Sequence, residues 1–170
     1  MNAATRRTAA LVAVLTLALG ACAGRRLVDG VYRAPSGYRV TVPGPTWEVA
    51  PDSRADLELR QPTAPVGMLA NAVCDPAVVR RGWEVLSQHL LIGMRDRVVV
   101  EAGEAPVNGR VASHQVLEGR MRQSDERVRI ESYTLKGDRC VYDLLYVAAP
   151  EAFDAWRGDF QRFVESFAGE

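Results

Sequence analysis

Arg127-Val128-Arg129-Ile130-Glu131-Ser132-Tyr133-Thr134-Leu135-Lys136 and, past Gly137-Asp138, Arg139-Cys140-Val141-Tyr142-Asp143-Leu144-Leu145-Tyr146-Val147-Ala148 are two runs rich in β-branched and aromatic residues. Such runs read as strands, and a polar link this short makes them antiparallel neighbours. A third run, Gly109 to Met121, joins them through Gln123-Ser124-Asp125-Glu126, so the three form a meander. Strand side chains alternate between faces. One face then carries His114, Val116, Tyr133, Leu135, Cys140, Tyr142, Leu144 and Tyr146, and the other Val111, Leu117, Met121, Val128, Ile130, Val141, Leu145 and Val147. A sheet apolar on both faces needs cover on both.

Two helical patterns offer that cover. Asp75-Pro76 opens the first, with an N-cap acid and proline at the first helical position. Val79, Trp83, Leu86, Leu90 and Met94 recur at three or four residues, so the helix is expected to run to about Met94 despite Gly82. The second starts near Glu151 and carries Phe153, Trp156, Phe160, Phe163, Val164 and Phe167 at helical spacing. Upstream, Tyr38 to Val42, the turn Pro43-Gly44-Pro45 and Trp47-Glu48-Val49 read as a hairpin, with Trp47 a possible exposed contact. Asp56 to Arg60, Val66 to Cys74 and Arg97 to Ala102 read as further strands. The fold class is α/β (α+β): a central antiparallel β-sheet with helices packed on its faces.

The chain starts differently. Arg6 and Arg7 precede an apolar run from Ala9 to Leu19, the layout of a secretory signal. A run of about eleven residues is too short to span ~30 Å of hydrocarbon as a helix. Leu19-Gly20-Ala21-Cys22 then resembles the lipobox of bacterial lipoproteins. The resemblance implies cleavage before Cys22 and acylation of that cysteine. A membrane anchor of about three chains would hold permanently, since two already suffice. Ala23, in place of aspartate, implies the periplasmic face of the outer membrane. Residues 1–21 are thus a signal peptide, 22–30 a lipidated tether, and 31–170 a single globular domain.

Removing 21 of 170 residues leaves 149, enough for one domain with a core. Losing Arg6 and Arg7 from 21 basic and 21 acidic residues leaves a net charge near −2, without the basic footprint of a nucleic-acid binder. Cys74 and Cys140 remain after the anchor. In an exported protein such a pair is expected to form a disulfide, two buried thiols being the alternative.

The order of elements is similar to the PsbP-like (Mog-type) fold: Val40-Thr41-Val42-Pro43 with Trp47 nearby, a mid-chain helix, a long meander, and a terminal helix ending in Phe163-Val164-Glu165-Ser166-Phe167. That resemblance implies an accessory or interaction role and no particular ligand.

Candidate chemistry is sparse. Centring the first meander turn between Ser124 and Asp125 sets Glu118 opposite Glu131 and Arg120 opposite Arg129, at an end expected in water. On the second face Asp143 is expected opposite Ser132, with Thr134, Ser113 and Gln115 on neighbouring rungs. An acid among hydroxyls and an amide suits a small polar ligand or a cation, or a hydrogen-bond network around one buried carboxylate. Ser113 and His114 point to opposite faces and so form no nucleophile–base pair. His114 reads as packed, His89 as a helix-boundary residue, and Glu101, Glu104, Asp125 and Glu126 as solvated charges near turns. Two histidines far apart give no metal-ligand spacing. No Gly-rich phosphate loop occurs, and no cofactor is expected. The expectation is a non-enzymatic, membrane-anchored binding or accessory module of the cell envelope with a protein partner. The alternatives are an envelope hydrolase of unrecognised type or a lipid-handling or transport accessory protein.

Overall fold

The structure, a computed structural model, describes residues 26–89, 91 and 93–169, with the side chains of 87–89 left aside. Residues 1–21, expected to be a signal peptide, and Cys22 and Leu90 lie outside the described residues. β1 (Leu27–Val28), β2 (Val31–Arg33) and β3 (Arg39–Thr41) form a three-stranded antiparallel sheet. Asp29 and Gly30 join β1 to β2 with positive φ of 51° and 74°, as a two-residue hairpin turn requires. β1 takes in residues expected in the tether, so the folded chain reaches back to Leu27.

The remaining strands are β4 (Glu48–Val49), β5 (Leu57–Arg60), β6 (Val66–Val73), β7 (Met94–Val107), β8 (Arg110–Met121), β9 (Arg127–Lys136) and β10 (Val141–Ala148). They form one sheet in the order β4-β5-β6-β10-β9-β8-β7, with every neighbour antiparallel. The hairpin expected across Pro43-Gly44-Pro45 does not form: β3 pairs with β2, and β4 with β5. Two prolines cannot donate to a ladder, and the segment instead carries the chain from one sheet to the other.

The expected mid-chain helix is also divided. α1 (Pro76–Val79) is capped by Asp75, whose Oδ1 accepts from Ala77 N at 2.7 Å. The chain breaks at Arg80 to Gly82 and resumes as α2 (Trp83–His89). Met94 is not helical; it opens β7, where it packs with Leu117 and Met121. Burial in a strand outweighs the helical pattern there. The last helix, α3 (Phe153–Glu165), follows its pattern and buries Phe153, Phe160, Phe163 and Val164.

The two-face division of the large sheet holds. Face one carries Leu59, Met68, Val116, Leu135, Tyr142, Leu144 and Tyr146, covered by α3 and the small sheet. Tyr146 stacks on Phe160 at 5.4 Å between centroids. The chain end closes this layer, Ala168 exchanging backbone hydrogen bonds of 2.8 and 3.0 Å with Arg39. Face two carries Leu69, Leu117, Val128, Ile130 and Leu145 with Leu91 and Met94. Near α2, Lys136 Nζ lies 5.0 Å over the Trp83 ring. Val111, expected under cover, is exposed. Trp47 is buried: its Nε1 donates to Asp159 Oδ2 at 2.7 Å and its ring meets Trp156 edge-on.

Cys74 and Cys140 are joined by a disulfide. The β6–β10 register, with Val73 opposite Val141, puts the two cysteines side by side at the end of the ladder.

Candidate functional site

Two polar constellations sit on the central strands, one on each face. β8 and β9 meet at Met121 and Glu126, so the turn centres between Gln123 and Ser124, one residue earlier than expected. All β8–β9 pairs therefore shift by two residues. Glu118 lies opposite Arg129 and Glu131 opposite Val116. An even shift keeps every side chain on its expected face but changes its partner. Glu118 and Arg129 become a direct ion pair, with Arg129 Nε donating to Glu118 Oε1 at 2.8 Å.

Glu131, expected in water, has no exposed side-chain area. Its carboxylate is enclosed from three elements. Arg157 of α3 donates from Nε to Oε2 at 2.8 Å and from its second guanidinium nitrogen to Oε1 at 3.0 Å. His114 Nε2 of β8 donates to Oε1 at 2.9 Å, and the Tyr133 hydroxyl reaches the same oxygen at 3.3 Å. Burial pushes the Glu131 carboxyl up, but the bonds from His114 and Arg157, with their charge, outweigh it and hold it below the usual carboxylate range. Burial beside that carboxylate pushes the Tyr133 phenol up to about 12. Glu101 on β7 closes the outer side, 3.6 Å from His114 Nδ1 and 3.9 Å from Arg157. His114 is packed as expected, its ring 4.4 Å from that of Tyr133. Glu101 sits within a strand rather than near a turn. The cluster holds its carboxylate ionised and ties α3 to β8 and β9. The signal for it was parity, since Glu131 shares a face with Tyr133 and Leu135.

The second constellation is the one read from sequence. Ser113, Thr134, Asp143 and Asn71 lie opposite one another across β8, β9, β10 and β6, and Gln115 and Ser132 face each other on the next rung. The five expected residues thus share a face over two rungs. Asp143 stands opposite Thr134 and not Ser132, because the β9–β10 turn includes Arg139 and β10 begins at Val141. Thr134 Oγ1 donates to Asp143 Oδ1 at 2.8 Å. Burial raises the Asp143 carboxyl to about 6, partly offset by that hydroxyl.

Open surfaces lie elsewhere. A cavity of about 770 Å³ runs beside the disulfide, lined by Pro35, Pro76, Val79, Arg80 and Arg139. Another of about 470 Å³ lies between the two sheets, lined by Leu27, Tyr32, Val49, Pro51, Asp56 and Glu58. Neither Glu131 nor Asp143 lines either one. Among the described residues no cluster of three His, Cys, Asp or Glu side chains could hold a metal ion. No helix of the described residues is long and apolar enough to cross a membrane.

No protein-family model matches the chain, and no curated protein matches it. Solved structures share its fold. The solution structure of cyanobacterial PsbP (CyanoP) from Synechocystis sp. PCC 6803 superposes with a TM-score of 0.58 at 13% identity, over 89% of this chain and 99% of that one. LpqN of Mycobacterium tuberculosis, a protein involved in cell envelope biogenesis, superposes with a TM-score of 0.52 at 16% identity, over 79% of this chain and 84% of its own. A protein of unknown function from Pseudomonas aeruginosa gives 0.53 at 7% identity, over 82% and 96%. These likenesses show the PsbP-like fold.

Proposed function

We propose that the protein is a membrane-anchored accessory module of the cell envelope, which holds a protein partner near the membrane and catalyses no reaction. The observation that carries this reading is where the fold puts its buried acids. Catalytic groups combine a shifted proton affinity with access to substrate. Glu131 and Asp143 have the shift, but both are bonded internally and lie away from the cavities described. Asp143 and its neighbours Ser113, Gln115, Ser132 and Thr134 then serve as a polar rung of the sheet rather than as a ligand site. The likeness to CyanoP and to LpqN supports an extracytoplasmic accessory role.

In this reading Cys22 is acylated and faces the periplasm from the outer membrane. The first described strand opens at Leu27, five residues after Cys22. Fully extended, they reach about 17 Å, so the small sheet stays close to the lipid surface.

The test is Cys22→Ser in the native envelope, combined with crosslinking of the parent chain to its neighbours. The variant is expected to lose membrane association while keeping its fold, and the parent to capture a reproducible protein partner. A variant that stays processed and membrane-bound overturns the anchor, and capture of nothing specific overturns the accessory role.

A further inference from the structure

The cavity of about 470 Å³ between the two sheets has two kinds of lining. Leu27 of β1, Val49 of β4, Pro51 and Leu57 of β5 are apolar, whereas Tyr32 of β2, Asp56 and Glu58 of β5 carry polar groups. A cavity of this size suits a small organic molecule, held by apolar walls and oriented by a few placed polar groups.

The polar groups are not equally engaged. Glu58 is neutralised by Arg60, whose Nε donates to its carboxylate at 2.7 Å. Asp56 has no cationic partner among the described residues; its Oδ2 accepts from Ala72 N at 3.1 Å. Tyr32 is 4% exposed, and its hydroxyl is buried with no hydrogen-bond partner. Leaving such a group unpaired costs about 1–3 kcal/mol. The Tyr38 ring lies 6.2 Å from that of Tyr32. Burial and then the charge of the nearby Asp56 carboxylate, with a smaller contribution from Tyr32, push the Tyr38 phenol up. Asp56 and the two phenols are therefore one cluster, and two of its three members line the cavity.

We propose that this cavity binds a small primary amine with an apolar body, the ammonium held by Asp56 and the Tyr32 hydroxyl oxygen and the body resting against Leu27, Val49 and Pro51. An ammonium brings three donors and no acceptor, which matches a carboxylate and a phenol oxygen. Its bond to Asp56 is charge-assisted, the stronger kind. An anion would meet two carboxylates, and a wholly apolar guest would leave Tyr32 unpaired. Arg26, the cation among the described lining residues, is exposed, where solvent and salt screen its charge. The site uses none of the residues on which the accessory reading rests.

The test is calorimetric titration of the full chain in detergent micelles with benzylamine, protein-free micelles being subtracted. Benzyl alcohol, of similar size and without charge, is the control. Benzylamine is expected to saturate one site with a Kd on the order of 1 mM, and benzyl alcohol to bind at least about tenfold more weakly. Asp56→Asn keeps an acceptor for Ala72 N and is expected to weaken benzylamine about tenfold. Tyr32→Phe removes only the unpartnered hydroxyl and is expected to weaken it about threefold or more. Ala55→Phe, which fills the cavity, is expected to abolish binding, with thermal melting checking that each variant folds. If Ala55→Phe does not fold, the Asp56 and Tyr32 variants decide. Absence of saturable binding overturns the proposal. So does benzyl alcohol binding as tightly as benzylamine, or a benzylamine affinity unchanged by Asp56→Asn.

Discussion

Replacing Arg157 with methionine removes the guanidinium from Glu131 while leaving an apolar stem of similar reach. The carboxylate keeps His114 and Tyr133 but loses bonds of 2.8 and 3.0 Å to a cation. Breaking one partner out of a fully buried ion pair costs about 3–5 kcal/mol, because the remaining charge cannot return to water. Glu131 is fully buried, but the Arg157 side chain is 33% exposed, so the lower end applies, about 3 kcal/mol. For a domain of this size that lowers the melting temperature by about 10 °C.

Urea unfolding at pH 7 followed by tryptophan fluorescence measures it, since Trp47 and Trp156 meet where α3 packs. The control is Glu131→Gln, which removes the charge itself. In that background Arg157→Met is expected to cost about 1 kcal/mol or less, leaving a coupling near 2 kcal/mol. Acid supplies a second check. The folded Glu131 carboxyl lies below its unfolded value of about 4.3. Its stabilisation is therefore complete above that value and disappears as pH falls through the folded one. The gap between parent and Arg157→Met should then close below about pH 4. Equal costs of Arg157→Met in both backgrounds, or a gap that persists in acid, would refute the argument that a buried charge is what α3 holds.

Asp143 has the opposite sign. Its folded value of about 6 lies above the unfolded value, so stability falls as pH rises from about 4 to 6 and stays low beyond. Asp143→Asn should stabilise the protein by on the order of 1–2 kcal/mol at pH 8 and by little at pH 4, read by paired thermal melts; equal effects at both would count against it. Reduction, or replacement of Cys74 and Cys140 by serine, opens a loop of 66 residues. It should cost about 4 kcal/mol on the chain-entropy account, measured by denaturation with and without reductant. At Gly119 an added methyl would sit 2.8 Å from the Arg95 carbonyl oxygen and 2.8 Å from Met94 Cε, whereas at Gly103 it meets nothing within 4 Å. Gly119→Ala should destabilise by about 1–3 kcal/mol in the same assay and Gly103→Ala by far less.

The meander was legible because alternation has a period of two. Its turn centres were each misplaced by one residue, which moved every pairing by two and left every face intact. That is why Leu135, Tyr142 and Tyr146 were correctly assigned to one layer while Glu131 and Asp143 were given the wrong partners. Asn108-Gly109, with φ of 48° and 81°, is the hairpin signal that would have extended Arg97–Ala102 into β7 and joined it to β8. The split between α1 and α2 was less accessible, since Met94 fits a helical stripe as well as a strand until its neighbours are known.

By itself the amino-acid order determined the antiparallel sheet, its two apolar faces, the terminal helix and the pairing of Cys74 with Cys140 as the expected bridge. These rest on local periodicity and composition, which survive small errors of register. Only the tertiary structure decided that Glu131 is enclosed by Arg157 and His114, that Asp143 answers to Thr134, and that Tyr32 and Asp56 share one cavity. Each of those depends on which residues far apart in the chain come within a few ångströms. A one-residue difference in a turn changes that completely while leaving the local pattern untouched.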